Sequence, residues 1–219
     1  PAVAAACLGS LCFGYHLAVV NGPLEAIAAA LGLGTAAAQG LVVSSVLLGA
    51  AAGSFAGGGL ANAAGRRTAL MYTSAPLVLG AALSAAAWSL AAMVAGRALV
   101  GLGIGAASAV VPLYISEIST TRNRGSLGSL NQLTICVGIL LALLANVAVA
   151  PTGAWRRLFG LAVAPGALLA LGMAAVPESP RWLASVGAHD EALRAGRALW
   201  GADCAAELQS PPDGREGKG

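Results

Sequence analysis

Charge is scarce in this chain. Asp, Glu, Lys and Arg make up 10% of its 219 residues, where a soluble globular domain carries about a quarter. With 58% of the residues hydrophobic, a soluble fold of this length could not hide its apolar surface, and that class is excluded. The net charge of +3 rests on twelve basic residues that form no single stripe, so no nucleic-acid partner is expected. Metal-ligand spacing is missing too: Cys7, Cys12, Cys136 and Cys204 read as small apolar packing residues, and neither metal nor cofactor is expected. The two histidines, His16 and His189, lie far apart, and no G-x-S-x-G elbow accompanies Ser116 with Glu117 or Glu178 with Ser179. No catalytic constellation results, and an enzyme is not expected. Gly101-x-Gly103-x-x-Ala106 fits a loose dinucleotide fingerprint, but no strand precedes it and positions 120 to 128 offer arginines in place of an acidic residue.

What the chain does have is long uncharged runs. Six spans are expected, at about 2–21, 41–61, 69–91, 95–115, 126–148 and 158–176, giving an all-α, multi-pass protein whose partner is the lipid bilayer. Gly101 and Gly105 supply the small-xxx-small surface on which membrane helices pack closely. The opening run lacks a basic flank and carries Tyr15, His16 and Asn21 at its far end, so it reads as a first span and not as a signal peptide. With a cytosolic N-terminus, one face collects Arg66, Arg67, Arg122, Arg124, Arg181, Arg194, Arg197, Arg215 and Lys218, against Arg97, Arg156 and Arg157 on the other; both ends then face the positive side. Residues 181–205 turn amphipathic and suit one helix on the cytosolic face. Residues 206–219, rich in Pro, Gly and charge, read as a disordered tail.

Six ordered stretches carry a resemblance: FGYHLAVVNG (Phe13 to Gly22), GGLANAAGRR (Gly58 to Arg67), GRALVGLGIG (Gly96 to Gly105), PLYISEI (Pro112 to Ile118), RGSLGSLNQL (Arg124 to Leu133) and PESPRWL (Pro177 to Leu183). In order and spacing they resemble the sugar porter family of the major facilitator superfamily, most of all its plastidic glucose transporter branch. The resemblance implies the N-terminal six-helix half of a twelve-helix hexose carrier working by alternating access, with the C-terminal six-helix half as its missing partner. It favours the plastid inner envelope and leaves the plasma membrane open. A sugar sensor or partner subunit that binds without transport, and a proton-coupled symporter, remain the alternatives.

The resemblance also assigns roles. Arg66, Arg67, Glu117, Arg124, Glu178 and Arg181 would form the charge cluster that latches the two halves, with Glu117 and Arg124 as a pair; Asn62 stands where the family usually has aspartate, which weakens that latch. Gln132, a costly amide inside an apolar helix, would meet a hexose hydroxyl. Ile135, Cys136 and Ile139 would line the same wall, and Phe13, Leu17 and Asn21 fall on one stripe of the first span. His16 takes the place of the carboxylate that, in proton-coupled relatives, pairs with the arginine matching Arg97. An imidazole beside a guanidinium cannot repeat the carboxylate cycle, so facilitated diffusion is the expected mechanism.

Overall fold

The computed structural model describes residues 1–149, 154–201 and 204–209, and every regular element among them is a helix. In chain order these are α1 (Ala2–Ala18), α2 (Leu24–Leu31), α3 (Ala36–Ala64), α4 (Arg66–Ala85), α5 (Leu90–Ile118), α6 (Arg124–Val149), α7 (Trp155–Leu161), α8 (Val163–Ala174), α9 (Pro180–Ser185), α10 (His189–Trp200) and α11 (Cys204–Gln209). Five stretches are long and apolar enough to cross a membrane: α3, α4, α5, α6 and the α7–α8 pair, with α1 shorter but also apolar. An apolar helix of this length satisfies every backbone group internally, which is the condition for crossing hydrocarbon.

Side-chain caps fix where several helices begin. Thr35 accepts from the Ala38 N–H at 3.2 Å to start α3, and Ser89 accepts from the Ala92 N–H at 3.2 Å to start α5. The Ser89 cap lengthens α5 backwards by a turn relative to the expected span, so Arg97 stands two turns inside the helix instead of at its rim. Arg97 is only 1% exposed, and its expected role as a charge on the far face is thereby corrected. α1 stops at Ala18 and a turn leads to α2, a short helix that the sequence reading did not separate. Asn21 therefore leaves the stripe of Phe13 and Leu17 and lies exposed in that turn.

Glycine seams hold the bundle together. Along α3 and α5, Gly49, Gly53, Gly101 and Gly105 pack so closely that a Cβ on any of them would run into a backbone carbonyl of the facing helix. α1 meets α6 in the same way, Gly14 against the Ile135 carbonyl and Gly138 against the Leu11 carbonyl. Without a hydrophobic drive between helices in lipid, close backbone approach of this kind is what brings them together. On α6 only Gly138, Ala142 and Asn146 are buried, one stripe at intervals of four, while Leu133, Leu140, Leu141 and Leu144 stay exposed. That leaves most of α6 without a protein partner among the described residues.

Beyond the bundle the amphipathic region is two helices, α9 and α10, and not one across 181–205. Gly187, at φ 82°, turns the chain between them; a left-handed backbone of this kind suits glycine. α10 has Asp190 and Glu191 in its first turn and Arg197 in its last, the order the helix dipole favours. Trp200 fastens it to the bundle by donating from Nε1 to the Ile118 carbonyl at 2.8 Å. Of the expected disordered tail, residues 206–209 belong to α11, and 210–219 lie outside the described residues.

Candidate functional site

The charge cluster is built where α3 turns into α4, beside the ends of α5 and α8. Gly65 alone joins α3 to α4, at φ 95°, and a Cβ there would strike the Glu178 carboxylate. The turn thus delivers Arg66 and Arg67 straight onto Glu117 and Glu178. Arg66 grips Glu117 as a fork, Nε to Oε2 at 2.9 Å and Nη2 to Oε1 at 2.9 Å, and Ser179 Oγ donates to the same carboxylate at 2.5 Å. A bidentate, hydrogen-bonded pair fixes geometry as well as charge. The Glu117 fork is filled by Arg66, where the sequence pointed to Arg124. Asn62 touches Arg66 Nη1 only at 3.4 Å through its Oδ1, while its carbonyl accepts from Trp182 Nε1 at 3.0 Å.

Glu178 does something the sequence reading did not foresee. Its Oε1 accepts from the backbone N–H groups of Arg66 at 2.9 Å, Arg67 at 2.9 Å and Ser179 at 2.8 Å. It therefore caps α4, where unpaired N–H groups and the helix dipole both favour an anion. Arg67 returns the favour at the end of α8, donating from Nε to the Met173 carbonyl at 2.8 Å and from Nη2 to the Ala174 carbonyl at 2.8 Å. Two helix ends of opposite polarity are thus tied by one acid and one base. Arg181 meets Glu207 at 3.8 Å; burial first and Arg124 second push its guanidinium below the ordinary value, against the pull of Glu207 and Glu117. We expect Glu178→Ala to lower the stability of the purified chain by about 1–3 kcal/mol, because three N–H groups lose their acceptor. Thermal unfolding in detergent measures this; an unchanged midpoint would mean that water caps α4 equally well.

Inside the bundle, Arg97 donates from Nη1 to the backbone carbonyl of His16 at 3.1 Å, and its guanidinium lies 5.9 Å from the Phe159 ring centroid. His16 is likewise 1% exposed. Neither imidazole nitrogen, nor Nε or Nη2 of Arg97, has a hydrogen-bond partner. The two side chains are neighbours, but the bond between them is to the histidine backbone.

On the sugar-facing wall proposed from the sequence, Gln132 is exposed and its Nε2 stands 3.9 Å from Cys136 Sγ, one turn on. Ile135 and Ile139 are half-buried, as is Phe13, while Leu17 is exposed. The Gly14 crossing sets the backbone of α1 against that of α6 at Ile135 and Ile139. Two polar residues on α6 escaped the sequence reading. Asn131 accepts from Ser10 Oγ at 2.5 Å, tying α1 to α6. Asn146 is 9% exposed with both amide atoms unpaired; a lone amide in an apolar run, the signal that marked Gln132, marks it equally.

The family model described as Sugar (and other) transporter matches residues 2–209. Plastidic glucose transporter 4 of Arabidopsis thaliana is 52% identical over 210 residues, which cover 95% of this chain and 38% of that protein. The galactose-proton symporter of Escherichia coli is 41% identical, over 82% of this chain and 39% of its own length. Among solved structures, the proton:xylose symporter XylE bound to 6-bromo-6-deoxy-D-glucose superposes with a TM-score of 0.88 at 28% identity, covering 95% of this chain and 51% of that one. The inward-open form of XylE from E. coli gives 0.85. The chain spans about two fifths of the length of the curated relatives it matches.

Proposed function

This chain belongs to the sugar transporter family, and from that premise we propose that it is the N-terminal six-helix half of a carrier that moves a hexose, glucose foremost, by alternating access. The observation that carries the reading is the Arg66–Glu117–Ser179 fork beside the Glu178 cap, a rigid charge cluster on one face of a bundle whose α6 face has no partner among the described residues. Such a face suits a second bundle that rocks against this one. Facilitated diffusion is the favoured mode, because the buried cation Arg97 faces a histidine backbone and not a carboxylate. In this reading the chain is part of a carrier and not of an enzyme. The plastid envelope is the favoured membrane, in line with the printed name of the Arabidopsis relative.

Gln132 is the residue assigned to the hexose, with Ile135, Ile139, Phe13 and Leu17 as the apolar wall beside it. In a full-length parent, Gln132→Ala should weaken glucose binding by about 1–3 kcal/mol, read as a rise of about 5- to 150-fold in half-saturation for uptake, since both amide partners of a hydroxyl are lost. An unchanged half-saturation would make Gln132 a packing residue.

A further inference from the structure

Ser45, Thr73 and Ser108 lie inside apolar helices and turn their hydroxyls back on their own helix, donating to the carbonyls of Val42, Ala69 and Gly105. That local bond is the ordinary recourse of a serine or threonine in such a helix. Ser10 does otherwise. It is 4% exposed, and its Oγ leaves α1 to donate to Asn131 Oδ1 on α6 at 2.5 Å. Asn131 immediately precedes Gln132.

The glycine seam and this bond constrain α6 in different ways. Gly14 and Gly138 set how closely α1 and α6 approach, each against a backbone carbonyl of the other helix. A contact made without a side chain has no ridge to lock into a groove, so it resists roll about the helix axis only weakly. A hydrogen bond is directional and weakens steeply as its angle falls away, so Ser10 and Asn131 pin the roll. Towards the start of α6 little else does: of residues 124–130 only Arg124 and Leu127 are not exposed. Successive residues on a helix point about 100° apart. With Asn131 held against α1, Gln132 is therefore turned onto the flank beside the seam, where it is exposed. At a side-chain radius of about 5–6 Å, a roll of about 10° moves the Gln132 amide by about 1 Å, and a displacement of that size can cost up to about a hundredfold where function depends on alignment. We infer that Ser10 and Asn131 are positioning residues, whose bond fixes the roll of α6 and thereby aims the Gln132 amide at the hexose. The hexose rests on the role proposed for Gln132 above; the aim rests on the bond. The bond acts on direction more than on stability, because interhelical side-chain bonds in a bilayer add little to stability.

Two measurements test this. The first is NMR of the chain in lipid nanodiscs with isotope label only in the glutamine side-chain amides of Gln39, Gln132 and Gln209, the Gln132 signal being the one that Gln132→Ala removes. Ser10→Ala should shift that signal, leave those of Gln39 and Gln209 in place, and leave the melting temperature nearly unchanged. The second is glucose counterflow in a full-length parent. Ser10→Ala should raise the half-saturation at least about fivefold with the maximal rate unchanged, and Asn131→Ala should match it. In a Gln132→Ala background Ser10→Ala should add nothing, since residues that act through one another are not additive. An unmoved Gln132 signal in Ser10→Ala, an unmoved half-saturation in Ser10→Ala where Gln132→Ala raises it, or a rise of the same size in both backgrounds would each overturn the proposal. A half-saturation indifferent to Gln132→Ala, beside a shifted signal in Ser10→Ala, would instead sink the hexose role of Gln132 and leave its positioning by Ser10 and Asn131 standing.

Discussion

Liposomes carrying only these 219 residues are expected to show no counterflow of labelled glucose, a complete loss against a full-length parent reconstituted in the same lipid. The reason lies on α6, where a single stripe of Gly138, Ala142 and Asn146 is buried and the leucines around it are exposed. Alternating access opens a midplane site first to one side and then to the other by moving one bundle against a second. A lone bundle supplies one wall of that site and nothing to close it. Insertion should still succeed, because each long apolar helix satisfies its own backbone. Protease protection of the chain combined with zero counterflow is the expected pair of results; saturable counterflow at one chain per liposome would refute the reading.

The second large effect is an expected absence of coupling. Full-length parent carrier, given an inward pH gradient and no sugar gradient, should accumulate no glucose above the equilibrium ratio, where a symporter would concentrate it manyfold. Arg97 and His16 are each 1% exposed, and the guanidinium spends its Nη1 donor on the His16 carbonyl. A proton arriving on that imidazole would set two cations together away from water, a state costing several kcal/mol without a counter-ion. The printed names of two relatives include proton coupling, so the result discriminates. Accumulation abolished by His16→Ala would establish symport through this residue; accumulation surviving the change would place the proton elsewhere.

How far the sequence reached depended on whether a residue acts through its side chain or through the backbone. Gly101 and Gly105 were legible as a packing surface because small residues at intervals of four leave no other reading in an apolar helix, and they do meet α3. Arg66 and Glu117 were legible as members of one cluster because charges are rare in this chain. Their pairing with each other was not, since Gly65 decides it by turning α3 into α4 within a single residue. Glu178 was expected as an ion-pair partner and instead caps α4, because the backbone N–H donors it accepts from leave no mark on residue type. Arg97 looked like a rim charge because apolar runs were counted between charges, whereas α5 begins at its Ser89 cap. Asn21 lost its place on the α1 stripe for the complementary reason: the helix ends before the period does.

The Glu178 cap also bears on how the chain is made. The carboxylate that closes the N-terminus of α4 lies 112 residues after Arg66. At ribosomal rates of about 5–20 residues per second, roughly 6–22 s of synthesis separate the emergence of α4 from the arrival of its acceptor. During that interval the first turn of α4 sits at the membrane surface with its N–H groups open to water, and Arg67 has no α8 to hold. The end of the bundle at the α3–α4 turn therefore sets only after Glu178 has been made, and a ribosome stalled before residue 178 would leave it unfastened.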